Sequence, residues 1–90
     1  YYKEIEDSSK ADFNFDNTAP KAQYNVPVNV TLETGLIFNN DVDSHVFPMI
    51  DVSKSAVRVW KINSTSSTGV FDVTAEMYGE VLDIGQVTVQ

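Results

Sequence analysis

Branched aliphatic residues occupy every second position of Val26-Pro27-Val28-Asn29-Val30-Thr31-Leu32-Glu33, with polar residues or proline between them. Side chains of a β-strand point alternately to its two faces, so a period of two predicts a strand with one buried face. The same period recurs in residues 71–78, where apolar and polar side chains again alternate. These two stretches predict that the protein is built from strands.

Five further stretches are rich in the β-branched and aromatic residues that favour strands. They are Tyr1–Ile5, Asp12–Phe15, Val46–Val52, Val57–Ile62 and Gln86–Gln90. No segment has the i, i+3, i+4, i+7 apolar spacing of an amphipathic helix. About seven short strands predict an all-β fold, a small antiparallel β-sandwich. The immunoglobulin-like form is the default at this length, and a small barrel is the alternative.

Polar, turn-forming residues separate the predicted strands. The longest polar run, Asn63–Gly69, predicts a hairpin loop. Pro27 lies inside the most regular strand, and proline cannot donate a hydrogen bond to a neighbouring strand. We therefore expect this part of the strand to lie at a sheet edge or a bulge.

The length and charge of the chain restrict its class. Its 90 residues suffice for one hydrophobic core, so residues 1–90 are predicted to form a single domain. The chain opens on tyrosine rather than methionine, and we expect the domain to be excised or processed from a longer chain. Six Lys and Arg against 13 Asp and Glu give a net charge of −7, which repels nucleic acid and anionic membranes. No apolar run approaches the ~18 residues of a membrane span.

The scarcity of cysteine and histidine excludes several kinds of site. The absence of cysteine excludes disulfides, thiolate metal sites and cysteine nucleophiles. A single histidine excludes a multi-histidine metal centre within one chain. Asp41, Asp43 and His45 are weak metal candidates, because their i, i+2, i+4 spacing places all three on one face of an extended segment. A solvated polar face is the more frequent outcome of this spacing, and we favour it.

Asp12, Asn14 and Asp16 form a second acidic series. Counted as a calcium loop from Asp12, the series has Asn17 where glycine is required and Gln23 where a bidentate Glu is required. It is therefore not an EF-hand. Calcium held between loops stays an open alternative, and no other cofactor is expected.

Catalytic and modification motifs give little support for an enzyme. Ser44 precedes His45, and adjacent strand residues point to opposite faces, so they do not predict a nucleophile–base pair. No phosphate-binding glycine motif or nucleophile elbow occurs. The sequons at Asn29 and Asn63 fit glycosylation only in a eukaryotic secretory pathway, and we favour chance occurrence, because Asn, Ser and Thr are abundant in this chain.

Trp60, the single tryptophan, is predicted to be the centre of the core. The alternative makes Trp60 an exposed platform for a sugar or a protein, with Tyr24 or Tyr78 nearby. At the ends of the chain, Tyr1, Tyr2, Gln86 and Gln90 lie in predicted terminal strands. Terminal strands at a sheet margin expose backbone groups to neighbours, which makes these four residues candidate interaction residues; pairing of both strands within the domain is the equal alternative.

Taken together, these patterns predict a non-enzymatic structural, adhesive or protein-interaction module of a virion, a cell surface or a secreted assembly. Its expected partners are protein neighbours in that assembly, with a homo-oligomer formed by sheet-edge pairing as one form. The alternative function is a carbohydrate- or calcium-binding accessory module of a larger extracellular protein. A small secreted inhibitor of a hydrolase is a third hypothesis, supported by size and loop content alone.

Overall fold

The computed structural model describes the backbone of residues 3–5 and all atoms of residues 9–65 and 68–89. Eight strands account for most of these residues. They are β1 (Lys3–Ile5), β2 (Lys10–Asp16), β3 (Gln23–Leu32), β4 (Leu36–Phe38), β5 (Ser44–Ile50), β6 (Ser55–Ser64), β7 (Gly69–Met77) and β8 (Glu80–Val89).

The strands form two sheets that pack face to face. One sheet has the order β1-β8-β7-β3-β5, and the other has the order β2-β6-β4. Neighbours pair antiparallel, apart from β1 and β8, which are parallel. This arrangement confirms the predicted all-β sandwich, and the described strands do not close into a barrel.

The core lies between the sheets and is built from the inward positions of each strand. On β2 the alternation is complete, with Ala11, Phe13 and Phe15 buried and their neighbours exposed. Val26, Val28 and Val30 do the same on β3, as the period of two predicts.

Trp60 of β6 lies at the centre of this core. Its ring meets those of Phe13 and Phe15 in edge-to-face contacts, with centroids 6.4 and 5.9 Å apart. Aromatic pairs of this kind contribute about 0.5–1.5 kcal/mol each beyond the burial of their surface. With no disulfide in the chain, this aromatic cluster is a main source of stability.

The polar run Asn63–Gly69 does not form the predicted hairpin. Its first residues belong to β6 and its last to β7, and those two strands lie in different sheets. The run therefore crosses from one sheet to the other. The consecutive strands that do pair are β7 and β8, joined at Tyr78 and Gly79.

Pro27 lies in an inner strand, yet its position satisfies the limit that proline imposes. β3 is paired with β5 on one side and with β7 on the other, but the β7 pairing begins only at Val28. At Pro27 the chain of β7 has already turned, and Tyr78 N–H donates to Pro27 C=O at 3.0 Å. The missing N–H of Pro27 thus falls where the β3–β7 ladder has ended.

Gly35 carries the chain from β3 to β4 with φ +119°, a conformation that side chains disfavour. A Cβ atom at this position would lie 2.3 Å from Cε1 of Phe71. Because the aromatic ring is packed against the core, only glycine fits beneath it.

Candidate functional site

A cleft opens at one end of the sandwich, and we call it the end cleft. Its volume is about 160 Å³, smaller than the roughly 300–1,000 Å³ of sites for drug-sized ligands. The lining combines apolar and polar side chains from four parts of the chain: Asp16, Asn17, Thr18, Ala19, Gln23, Val26, Ile50, Met77 and Tyr78. Asp16 is the one charged residue among them. The end cleft therefore has room for a single side chain rather than a sugar or a large substrate.

Asn17 fixes the wall of the end cleft. It is 8 % exposed, and its Nδ2 donates to the carbonyls of Lys21 and Ile50 at 2.9 Å and of Asp51 at 3.2 Å. Its Oδ1 accepts from Ala19 N–H at 2.9 Å. All polar atoms of this buried amide are thus used inside the protein, so Asn17 positions the loop and offers nothing to a ligand.

Tyr78 forms the opposite wall in a strained conformation. The two residues of the β7–β8 turn, Tyr78 and Gly79, have φ of +55° and +79°. Two-residue hairpins with both φ values positive favour Asn-Gly or Asp-Gly, and a bulky residue there is an outlier. The Tyr78 side chain remains 51 % exposed, and its hydroxyl donates to Gln23 Oε1 over a long 3.5 Å.

The free margin of β5 lies beside the end cleft, and we call it the β5 edge. β5 pairs with β3 on one side and with no other described strand. Val30 N–H donates to Asp43 C=O at 2.8 Å, so alternate residues Val26, Val28 and Val30 direct their backbone groups to β5. Their partners His45 and Phe47 are used by this pairing, whereas Ser44 and Val46 direct N–H and C=O outward.

Asp41, Asp43 and His45 do not converge on a metal site. Asp41 forms a two-point ion pair with Arg58, at 3.0 and 3.4 Å, and its Oδ2 accepts from Lys61 N–H at 2.9 Å. The Arg58 guanidinium and these backbone donors hold the pKa of the Asp41 carboxyl well below its usual range, although burial acts in the opposite direction. Asp41 is therefore committed to a structural ion pair.

The other two metal candidates lie elsewhere. Asp43 is exposed, and His45 packs its ring edge-on against Phe47 at 4.7 Å. Across the described part of the chain, no group of three His, Asp or Glu side chains is arranged to hold a metal ion. Asp12, Asn14 and Asp16 line the outer face of β2, with Phe13 and Phe15 turned inward as predicted.

Trp60 is a core residue, and its proposed role as an interaction residue is wrong. The side chain is fully buried, so neither a sugar nor a protein can reach its ring. Arg58 lies over the indole, with Cζ 4.7 Å from the ring centroid. The indole N–H has no hydrogen-bond partner among the described residues. The Asp41–Arg58 pair thus closes the side of the core at which Trp60 lies.

The structure describes only one of the four candidate interaction residues in the terminal strands. Tyr1, Tyr2 and Gln90 lie outside the described residues. Gln86 does not lie at a sheet margin, because β8 pairs with β7 at Asp72 and with β1 at Glu4. Its Nε2 donates to Asp72 Oδ1 at 3.3 Å. The edge predicted at β8 is therefore covered over this part of its length by β1.

Both sequon residues lie at the surface in different settings. Asn29 is partly buried, and its Nδ2 donates to Glu76 Oε1 at 3.4 Å. Asn63 is exposed on β6, and its Oδ1 accepts from Ser64 N–H at 2.9 Å.

Sequence reasoning missed the end cleft and the β5 edge. The cleft depends on residues far apart in the chain, such as Asn17, Ile50 and Tyr78, so no local spacing could reveal it. One signal was available for the turn, since Tyr78-Gly79 follows a regular alternation and resembles a two-residue hairpin with an unusual first residue. The β5 edge required knowledge of which strand lies last in the sheet.

Comparison with known proteins gives no family for this chain: its sequence matches no protein-family model and no curated protein. Within the residues that the structure describes, no helix has the length and apolar character to cross a membrane.

Proposed function

We propose that the protein is a non-enzymatic interaction module, structural or adhesive, of a virion, cell-surface or secreted assembly. In this proposal an extended segment of a partner protein adds as a strand to the β5 edge. The observation that carries it is the character of that edge compared with the other margins of the two sheets.

The other three outermost strands, β1, β2 and β4, have features that oppose strand addition. β2 carries Lys10, Asp12 and Asp16. The described part of β1 spans three residues. β4 is three residues long. Charged and short edge strands are the devices by which proteins prevent edge-to-edge pairing. These margins are therefore poorly suited to bind a strand.

The β5 edge is as long as β2 and longer than β1 or β4, and it carries no Asp, Glu, Lys or Arg. Its seven residues, Ser44–Ile50, include Val46 and Met49, which are 53 % and 47 % exposed. Pro48 has no N–H, which limits pairing to the first part of the strand. The outward N–H and C=O groups of Ser44 and Val46 supply the hydrogen bonds of β-augmentation, and neighbouring apolar side chains supply contact area.

Charge complementarity indicates the chemistry of the partner segment. Exposed Asp43 precedes β5 and exposed Asp51 follows it, in a chain of net charge −7. A segment with apolar alternation and a basic residue at each end matches this pattern. A second copy fits less well, because antiparallel pairing would bring the acidic start of one strand to the acidic end of the other.

The connectivity supports the immunoglobulin-like form of the sandwich as part of this proposal. β2, β6 and β4 follow the chain order of strands B, E and D of that fold, and β3, β7 and β8 follow strands C, F and G. β5 is then an addition beside the strand that corresponds to C. Sandwiches of this architecture occur in many cell-surface domains, which supports an extracellular setting by analogy of fold alone.

An NMR titration of the ¹⁵N-labelled chain tests the proposal. The probe is a capped heptapeptide with lysine at both ends and alternating valine and threonine between them. We expect chemical-shift changes at the amides of Ser44 and Val46. Val46→Pro removes the outward N–H without touching the β3 ladder and is expected to weaken binding at least tenfold. Val46→Ala keeps that N–H and loses only part of the apolar contact, so it is expected to weaken binding by less than about threefold.

Four outcomes overturn this proposal. Equal binding by Val46→Pro, or shift changes confined to another surface, excludes pairing at β5. A dimer in sedimentation that Val46→Pro abolishes would make a second copy the occupant. If Val46→Pro fails to fold, the same peptide with alternate amides N-methylated replaces it, and undiminished binding of both methylation patterns excludes strand addition.

A further inference from the structure

We infer that the end cleft receives the side chain of a lysine or arginine from the segment that adds to β5, an inference that rests on the proposed function. The cleft is thereby assigned a ligand class: an aliphatic chain that ends in a cation. Its size, its charge, the turn at Tyr78 and its position beside β5 each support this assignment.

The size and lining of the end cleft match one long side chain. A volume of about 160 Å³ corresponds to about five water molecules at roughly 30 Å³ each, which is the space of a four-carbon chain and its amine. Val26, Ile50 and Met77 present apolar surface along which such an aliphatic stem can lie. Long basic side chains bury their stems in this way and keep the charged group at the rim.

The polar groups of the end cleft favour a cation over an anion or a neutral group. Asp16 supplies a carboxylate, which accepts a hydrogen bond from the Ser55 hydroxyl. Gln23 Oε1 supplies a second acceptor; it accepts a long hydrogen bond from Tyr78, and the Nε2 of the same amide donates to Lys21 C=O at 3.5 Å. Lys21 and Lys54 reach this region through backbone carbonyls that bind Asn17, and neither belongs to the lining.

Tyr78 gives the third argument. A bulky side chain in the left-handed region costs of order 1–3 kcal/mol of strain, and asparagine or glycine would avoid most of it. Such residues concentrate at functional sites, where the strained position aims a side chain. Here the position holds an aromatic ring against the end cleft, and an aromatic face attracts a lysine or arginine cation.

The position of the end cleft connects it to the β5 edge. Ile50, the last residue of β5, lines the cleft. A strand that pairs with Ser44 and Val46 and continues four residues further along β5, without ladder hydrogen bonds at Pro48, brings one of its ends to Ile50, close to exposed Asp51. The basic end residue inferred from charge complementarity is the one placed to enter.

Peptide exchange and a matched pair of variants test the inference. The lysine-ended heptapeptide is compared with a peptide that carries norleucine, an uncharged aliphatic side chain, at both ends. Asp16→Asn is expected to weaken the lysine peptide about fivefold, as loss of an exposed ion pair does, and to leave the norleucine peptide unchanged. Asp12→Asn, on the same face of β2 and outside the lining, is expected to leave both peptides within twofold.

The outcomes separate this inference from the proposed function. If both peptides bind at β5 equally and Asp16→Asn has no effect, the inference is overturned and the proposed function stands. In a second titration n-butylammonium alone replaces the peptide. Chemical-shift changes at Gln23 and Met77, without any binding of the heptapeptides, would support a cation site in the cleft and overturn strand addition. If those changes are absent and Asp16→Asn binds the lysine peptide as the wild type does, the cation site is excluded.

Discussion

Beside β6, the Asp41 carboxylate and the Arg58 guanidinium cover the buried indole of Trp60. The β5 side of the same sandwich ends in a strand without Asp, Glu, Lys or Arg and in the end cleft. The side chains of Arg58 and Asp41 are 19 % and 9 % exposed. At β5, by contrast, Val46 and Met49 are about half exposed, and outward backbone groups have no partner strand among the described residues.

The two sides of the sandwich differ in how their polar groups form hydrogen bonds. The carboxylate of Asp41 accepts hydrogen bonds from Arg58, Lys61 and Val42, so a charged pair closes the core without leaving the carboxylate unpaired. The backbone groups at the β5 edge face solvent, and a partner strand can replace that solvent at little cost. One side of the sandwich is thus closed by a charged pair, and the other keeps the backbone groups to which we propose that a partner strand binds.

The largest expected effect on stability comes from removing the Asp41–Arg58 ion pair. Asp41→Ala leaves the Arg58 charge and two backbone donors unpaired beside Trp60, and we expect the free energy of unfolding to fall by about 3 kcal/mol. Urea denaturation measures this loss. Asp43→Ala, which changes an exposed carboxylate two residues away, is the matched control and is expected to cost less than about 0.5 kcal/mol. Equal losses in the two variants would contradict the comparison.

The pH dependence of stability tests the contribution of the Asp41–Arg58 pair in a second way. Because the folded-state pKa of Asp41 lies below its unfolded value, its stabilisation is fully present above the unfolded pKa of about 4 and is lost as the pH falls through the folded pKa. We expect the stability gap between the wild type and Asp41→Asn to be constant from about pH 7 to 5 and to narrow below about pH 4. A gap that does not change on acidification would show that the ion pair contributes nothing.

At the end cleft we expect a smaller effect on the free energy of unfolding, with the opposite sign. Tyr78→Asn relieves the left-handed strain of the turn and should raise the free energy of unfolding by about 0.5–1 kcal/mol. Tyr78→Phe keeps both the ring and the strain, so it should leave stability unchanged. Thermal denaturation distinguishes the two variants. Loss of stability in Tyr78→Asn would mean that packing of the ring outweighs the strain.

Local alternation accounts for most of the fold that could be predicted. On β2 and β3 the buried residues are those that a period of two identifies, and Trp60 lies in the core as its size suggests. The three-residue strand β4 was too short to predict from its apolar run. The run Asn63–Gly69 was misassigned because a polar connection looks the same whether it joins neighbours in one sheet or crosses to the other.

The candidate sites were less predictable for a related reason. Asp41 has the same local spacing to Asp43 and His45 in a metal site as in a solvated strand, and its true partner, Arg58, lies 17 residues away. Gln86 was expected at a margin, but the parallel pairing with β1 moved its strand inside the sheet. The sequence predicts Tyr78 only as an aromatic neighbour of an exposed Trp60, whereas its place in the wall of the end cleft depends on four separate segments of the chain.

The sequence by itself determined the strand composition, the direction in which each strand buries its side chains and the absence of cysteine chemistry, because these depend on residue type and on a repeat of two. Only the tertiary structure decided which strand is left at the margin, which carboxylate meets the guanidinium and where the end cleft opens. Those features depend on the order of strands in the sheets, which is set by contacts between distant residues. That order also leaves β5 at the margin of its sheet in an acidic protein, and our proposal of a basic partner strand depends on this arrangement.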